Sequence, residues 1–528
     1  MGQISSFLEP VDYLIIVGYL LVLLAFGYYI SFIKNKKSDE NLFLAGNSLG
    51  WTSIGLNMWG TNVGPSMLIA SASVGFTTGI VAGNFAWYAF IFILLLAVVF
   101  SPRYLGAKVL TLPEFMGKRF GDSTRNILAW YTLITILISW LSLTLFAGGV
   151  LVMQLLDLPM YISVIAMVIM SGFFAAAGGL KAIAYTNVFQ MLLLIAVSLL
   201  LVVIGVNKAG GLEAIYANTP GSYWNLLLPA DDENYPWLAI LLGYPIMGVW
   251  FWCTDQSMVQ SVLGAKNLKE GQLGANFIGW LKILDVPLFI LPGIVCFVLF
   301  PELKNPDEAY MTMVTQLFPA GLRGLIIVVL IAALISTIGS ALNSLSTVFT
   351  MDIYVKKYHP EASQKIIVKT GRLVVLFGSV LSVFITLAID SIKGLNLFDV
   401  FQSVLGFIAP PMSVVFLFGV LWNKTTARAA NLTLTLGTFI SLGTGVLYLW
   451  VFPNKIYNWP HFLLLSFYIF VGLSIMAYIL TITDKAGQKD HQTLLRINPA
   501  AKPDMQVKIL WAVLTMVMIA LYVIFNGH

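Results

Sequence analysis

Fourteen apolar runs of about 20 residues recur along the 528-residue chain, centred near residues 22, 62, 91, 140, 168, 195, 250, 286, 338, 378, 410, 440, 470 and 517. Each is long enough to cross a bilayer as a helix, and only a helix satisfies its own backbone groups while doing so. The fold class expected is therefore all-α and polytopic, with about 14 spans, here numbered one to fourteen. Composition agrees, at 59% hydrophobic and 10% charged residues. No linker long enough to separate soluble domains interrupts the runs, so 1–528 reads as one membrane domain.

Cationic loops stay on the cytoplasmic side during insertion, which provides an independent check on the count. Of the 29 Lys and Arg residues, 23 fall in loops after odd-numbered spans, five after even-numbered spans, and Lys282 lies within a span. That parity predicts both termini outside, in a bacterial inner membrane or a eukaryotic plasma membrane. The net charge of +5 is then topological, with membrane lipid and not nucleic acid as its partner. Residues 1–11 lack a basic n-region before a short apolar stretch and a cleavage site, so span one (12–32) is expected to be a retained anchor. The 208–236 segment is expected outside as a solvated loop, or as a short external helix or lid. Cys253 and Cys296 both fall in spans and read as reduced packing residues.

Two spans carry clustered helix-breaking residues. Span two reads NMWGTNVGPSMLIASAS, with Gly60, Gly64 and Pro65 together; span seven reads GYPIMGVWFWCTDQ, with Gly243, Pro245 and Gly248. They stand five spans apart, the offset expected of an inverted five-helix repeat whose broken helices expose carbonyls near the midplane.

Span nine, GLIIVVLIAALISTIGSALNSLSTVFTMDIY (324–354), places Ser336, Thr337, Ser340, Ser344 and Thr347 at spacings of three and four, on one helical face. At about 1.5 Å per residue, Ser336 lies roughly 18 Å from Gly324 and roughly 24 Å from Asp352, near mid-bilayer. Neutral oxygens at that depth suit a small hard cation, with the carbonyls of Ala333, Gly60 and Val63 completing a shell if spans two and nine touch. The same hydroxyls also suit plain helix–helix contact or bonds to carbonyls one turn earlier. Lys282 is a costly intramembrane ammonium, and Asp285 lies one turn away on its face. A structural pair, a lysine reaching a solute and a snorkelling lysine all stay open. Asp255 and Gln256 are expected to hold the region by hydrogen bonds.

Four runs carry a family resemblance: LTLPEFMGKRF (110–120), WFWCTDQSMVQSVLGAKN (250–267), ALISTIGSALNSLSTVFTMDIY (333–354) and GFIAPPMSVVFLFGVLWNKTT (406–426). Together they resemble the sodium/solute symporter family, nearest its sodium–glucose cotransporter branch. The resemblance implies a ten-helix inverted-repeat core (5+5) at 47–426 with two broken helices, preceded by span one and followed by three spans in 427–528. It implies sodium held by the carbonyls of Gly60, Val63 and Ala333 and the side chains of Ser336 and Thr337. A second sodium site of some relatives needs an aspartate where this chain has Asn187, and a serine where it has Gly339, so one coupling Na+ is expected.

The solute positions implied are Gln402, Lys282 and Asn62, together with Met67, Ala86 and Gly248, where polar residues of the sugar branch are replaced. Phe251 stands at the gate position of a tyrosine, beside Trp252. Fewer polar anchors argue against glucose or galactose. The function implied is sodium-coupled symport of a sugar-like or polyol-like solute by alternating access. The alternative is a non-sugar solute such as sialic acid, a carboxylate or an amino acid, and, further off, a membrane sensor or enzyme. No P-loop GxxxxGK[ST] and no buried acid–base constellation beyond Lys282 and Asp285 speaks for an ATP-driven pump or an enzyme.

Overall fold

The computed structural model describes residues 8–29, 43–391, 397–452, 458–487 and 503–526. Among them the regular elements are helices, and extended pairing is limited to two isolated bridges, Leu49 with Ala265 and Leu228 with Pro236. Twelve described helices are long and apolar enough to cross a membrane. Two of these, Met67–Gly106 and Met160–Lys208, have 40 and 49 residues, about twice the roughly 20 that a bilayer needs. Each is broken by a glycine in a conformation that L side chains avoid, Gly79 at φ 82° and Gly179 at φ 54°. The first therefore holds the second half of span two and all of span three, the second holds spans five and six, and the described residues thus supply helices for fourteen crossings.

Span two breaks where expected. Its first half, Trp51–Asn62, ends before Val63 (ψ 74°), and its second half begins at Pro65. Pro65 has no N–H to offer Thr61 O, and Gly64 N turns to Asn62 O instead (3.0 Å). Carbonyls at the end of the first half are thereby freed.

Span seven breaks elsewhere than at the Gly243–Pro245–Gly248 cluster. Pro245 sits inside an unbroken helix, Trp237–Val249, and the Leu241 carbonyl that it cannot serve lies 3.4 Å from the Tyr88 hydroxyl. Gly243 and Gly248 are spacers: the Leu463 backbone and the Phe92 ring stand where a Cβ on each would go. The chain leaves the helix at Asp255 (ψ 128°), after a π-helical turn at Trp250–Thr254, and Asp255 Oδ1 caps the second half, Gln256–Leu263, by accepting from Ser257 N (2.8 Å) and Met258 N (3.2 Å).

Span nine, Leu322–Tyr358, runs through the centre, and almost every residue of its most apolar stretch is buried by protein. It is pinned at both ends. Asp12 of span one, Pro10–Tyr28, accepts from Gly321 N and Gly324 N, each at 2.7 Å. At the other end Arg125 Nε lies 2.7 Å from Asp352 Oδ1, with the aspartate side chain fully shielded. Removing one partner of a buried ion pair strands the other charge, at about 3–5 kcal/mol. Arg125→Met is therefore expected to lower the detergent melting temperature sharply, with Arg125→Met/Asp352→Asn recovering part of the loss. Equal melting of wild type and Arg125→Met would contradict this.

The 208–236 segment is largely exposed, as a solvated loop would be, but it holds a short helix, Leu212–Ala217, and is anchored to the bundle. Tyr223 Oη bonds Phe76 O (2.8 Å), Leu226 N donates to Phe525 O (2.8 Å), and the Tyr223 backbone fills the space left by the missing Cβ of Gly79. Cys253 and Cys296 are buried free thiols.

Candidate functional site

Spans two and nine do meet. Thr337 Oγ1 lies 3.1 Å from Ala333 O, one turn earlier on its own helix, and 3.4 Å from Gly60 O on the freed last turn of span two. Val63, at the break itself, is buried. All five residues expected to face a cation thus lie on the two segments that touch here, but Ser336 is buried and directs its hydroxyl to Gln190 Oε1 on span six.

Gln190 was missed by sequence reasoning. Its signal is a glutamine three residues after Asn187, in the otherwise apolar run NVFQMLLLIAV. Its Nε2 is buried without a partner.

The rest of the stripe mediates helix–helix contact. Thr61 Oγ1 lies 3.2 Å from Ser340 Oγ, Ser344 Oγ donates to Gln260 Oε1 (2.6 Å), and Gln260 Nε2 donates to Thr347 Oγ1 and Phe43 O, both at 2.8 Å. Asn187 Nδ2 donates to Asn57 Oδ1 (2.6 Å), whose own amide reaches Ser261 Oγ (2.6 Å). These bonds tie spans six and nine to the first half of span two and the second half of span seven. The amide N–H at 187 is thereby committed to another amide, while its Oδ1 is buried without a partner.

Beside Thr337 opens a cavity of about 390 Å³, which continues to Asn305, Asp307 and Glu308 at one end of the bundle. Asn62, Met67, Gly248, Phe251, Trp252 and Lys282 all line it. Ala86 does not: it is buried behind the wall, and its neighbour Phe85 faces the space. The side chain of Gln402 lies outside the described residues, although Leu405, one turn on, lines the cavity. Trp140 and Trp252 pack against Phe251, with ring centroids 5.4 and 5.0 Å away. Such aromatic faces suit the C–H faces of a ring-shaped solute.

Lys282 both pairs and lines. Its ammonium forms an ion pair with Asp285, donates to Asn62 Oδ1 at 2.8 Å, and stands 5.8 Å from the Trp252 ring centroid. Asp285 also accepts from Trp59 Nε1 (2.8 Å). Without a hydroxyl on Phe251, Asn62 is held by Lys282 instead. The snorkelling alternative is ruled out by burial, since Lys282 is 1% exposed. Asp255 takes Trp140 Nε1 (3.0 Å) and Gln256 Oε1 takes Leu112 N (2.9 Å), so both brace the region, as expected.

The model of the Sodium:solute symporter family matches residues 42–437. Sodium/glucose cotransporter 1 of Oryctolagus cuniculus is 32% identical over 471 residues, covering 82% of this chain and 71% of that protein. Sodium/myo-inositol cotransporter 2 of Homo sapiens is 32% identical over 470 residues, covering 82% and 70%. Among solved structures, the substrate-bound outward-open state of a Na+-coupled sialic acid symporter superposes with a TM-score of 0.77 at 19% identity, over 90% of this chain and 98% of that one. That likeness shows a shared fold. With the family's model spanning most of the chain and relatives aligned over most of both lengths, this chain belongs to the sodium:solute symporter family.

Proposed function

We propose that the protein couples one inward-moving sodium ion to uptake of a small neutral polyhydroxylated solute, of the sugar or inositol class, by alternating access. The observation that carries this reading is the meeting of Gly60 O, Ala333 O and Thr337 Oγ1 beside a cavity that continues to one end of the bundle only as far as Asn305, Asp307 and Glu308. Gly60, Val63, Ala333, Ser336 and Thr337 would replace the hydration shell of sodium there. Asn62, Lys282 and Gln402 would offer hydrogen bonds to the solute, and Phe251 and Trp252 stacking faces. By the parity of loop charge, the open end is extracellular, both termini are outside, and the cavity is that of an outward-facing state. Residues 47–426 form the moving core.

A neutral solute suits the deep part of the cavity, where Asp285 balances the Lys282 ammonium and the lining carboxylates, Asp307 and Glu308, stand at its far end. Relatives named for glucose and myo-inositol support the class. One ion is enough: a charge crossing about 100 mV releases roughly 2.3 kcal/mol, and a tenfold gradient about 1.4 kcal/mol more. Together these sustain accumulation of a neutral solute by several hundredfold.

Proteoliposome uptake under imposed sodium or proton gradients, across sugars, polyols, inositols and sialic acid, tests the reading. A sodium gradient is expected to drive a neutral polyol or sugar, with one positive charge entering per solute. Uptake indifferent to sodium for every solute would overturn it.

A further inference from the structure

Trp59 and Asn62 stand three residues apart on the last turn of span two before its break, and Lys282 and Asp285 stand three apart on span eight. The two faces are joined crosswise. Trp59 Nε1 donates to Asp285 Oδ1 (2.8 Å), Lys282 Nζ donates to Asn62 Oδ1 (2.8 Å), and the ion pair closes a ring of four side chains. Trp59 is completely buried and stacks on Phe289, with centroids 6.0 Å apart. The turn fastened in this way carries the Gly60 carbonyl between its two anchors and the Val63 carbonyl directly after the second.

We propose that this ring is the element that couples solute to sodium, with Asp285 as a positioning residue. Through Trp59, and through Lys282 and Asn62, Asp285 holds the freed turn so that the Gly60 and Val63 carbonyls face the ion. Lys282 spends two of its three N–H groups inside the ring and lines the cavity, which leaves one for a solute oxygen. A bound solute thereby orders Lys282, Asn62 and the turn behind them, and sodium on that turn orders the same ring toward the solute. Linkage makes the two effects equal. Without the ring, each ligand would bind a loose turn on its own account. A buried ion pair also has a simpler use, as mutual neutralisation, and that use predicts no linkage. The proposal rests on the sodium-symport reading above.

The test uses the full chain in proteoliposomes and the solute taken up best by the wild type. Sodium half-saturation, solute KM at low and at saturating sodium, and sodium flux without solute are measured for wild type, Asp285→Asn, Asp285→Glu and Trp59→Phe. Asp285→Asn and Trp59→Phe are expected to raise the half-saturating sodium concentration about tenfold and to shrink the sodium dependence of solute KM toward unity. Sodium flux without solute should rise, and Asp285→Glu, which keeps the charge, should recover part of the coupling. Should Asp285→Asn fail to fold, Trp59→Phe decides, because it keeps an aromatic ring against Phe289 and deletes only the N–H donor and the larger ring's bulk. Folded variants whose sodium half-saturation and linkage both stay within about twofold of wild type would overturn the proposal. A wild type with sodium-independent uptake would overturn the symport reading itself, and the coupling with it.

Discussion

Replacing Ser336 and Thr337 together by alanine is expected to raise the sodium concentration for half-maximal uptake by at least about 100-fold. Each hydroxyl facing an ion contributes on the order of 1.5–3 kcal/mol, and every 1.4 kcal/mol is about tenfold in affinity. Thr337 is the stronger single site, since its oxygen already lies against Ala333 O and Gly60 O. Thr337→Ser, which keeps the oxygen, should shift half-saturation far less than Thr337→Ala. Ser336→Ala carries a second penalty, because it strands Gln190 Oε1 on a side chain whose Nε2 is already unpartnered. Sodium titration of uptake, with melting temperatures alongside, separates the two effects. Unchanged sodium dependence in the double variant would remove this site.

Gly293→Val is expected to abolish recovery of folded protein. The second half of span two and span eight touch through a reciprocal pair of glycines: a Cβ at Gly293 would collide with the Ala72 carbonyl and lie 2.8 Å from Phe76 N, and one at Gly75 would collide with the Ile290 carbonyl. Backbone cannot step aside as a side chain can, so the helices must separate, at an expected cost above about 3 kcal/mol. Close approach through small residues is how membrane helices gain packing where lipid supplies little hydrophobic drive. Gly443→Ala is the control, because a Cβ there meets nothing within 4 Å. Size-exclusion profiles in detergent should show a monodisperse Gly443→Ala and an aggregated or absent Gly293→Val. A Gly293→Val protein that melts with the wild type would refute the packing account.

Span two was legible as a broken helix because Pro65 removes a donor whatever surrounds it. Span seven was misread because its Pro245 is compensated by the hydroxyl of Tyr88, 153 residues away in sequence. The break instead follows Asp255, which caps the next helix, a local signal hidden inside the conspicuous WCTDQ run. The hydroxyl stripe was legible as a face, yet its members divide by partner: Thr337 meets the freed Gly60 carbonyl and the Ala333 carbonyl of its own helix, while Ser344 and Thr347 meet Gln260. Lys282 and Asp285 were legible as neighbours. That they close a ring with Trp59 and Asn62 was not.

By itself the sequence determined the all-helical class, the number of crossings, the alternating loop charge, the break at Gly64–Pro65 and the mid-helix position of Ser336 and Thr337. Each of these follows from local rules: backbone satisfaction in hydrocarbon, the missing proline donor and the 1.5 Å rise. Only the tertiary structure decided which oxygens converge, since the contacts of Thr337 with Gly60, Ser336 with Gln190 and Trp59 with Asp285 join residues 277, 146 and 226 positions apart. Such meetings depend on how each helix is rotated and crossed against its neighbours, and those angles are set by the packing of small residues such as Gly75 and Gly293, not by the period of any one span.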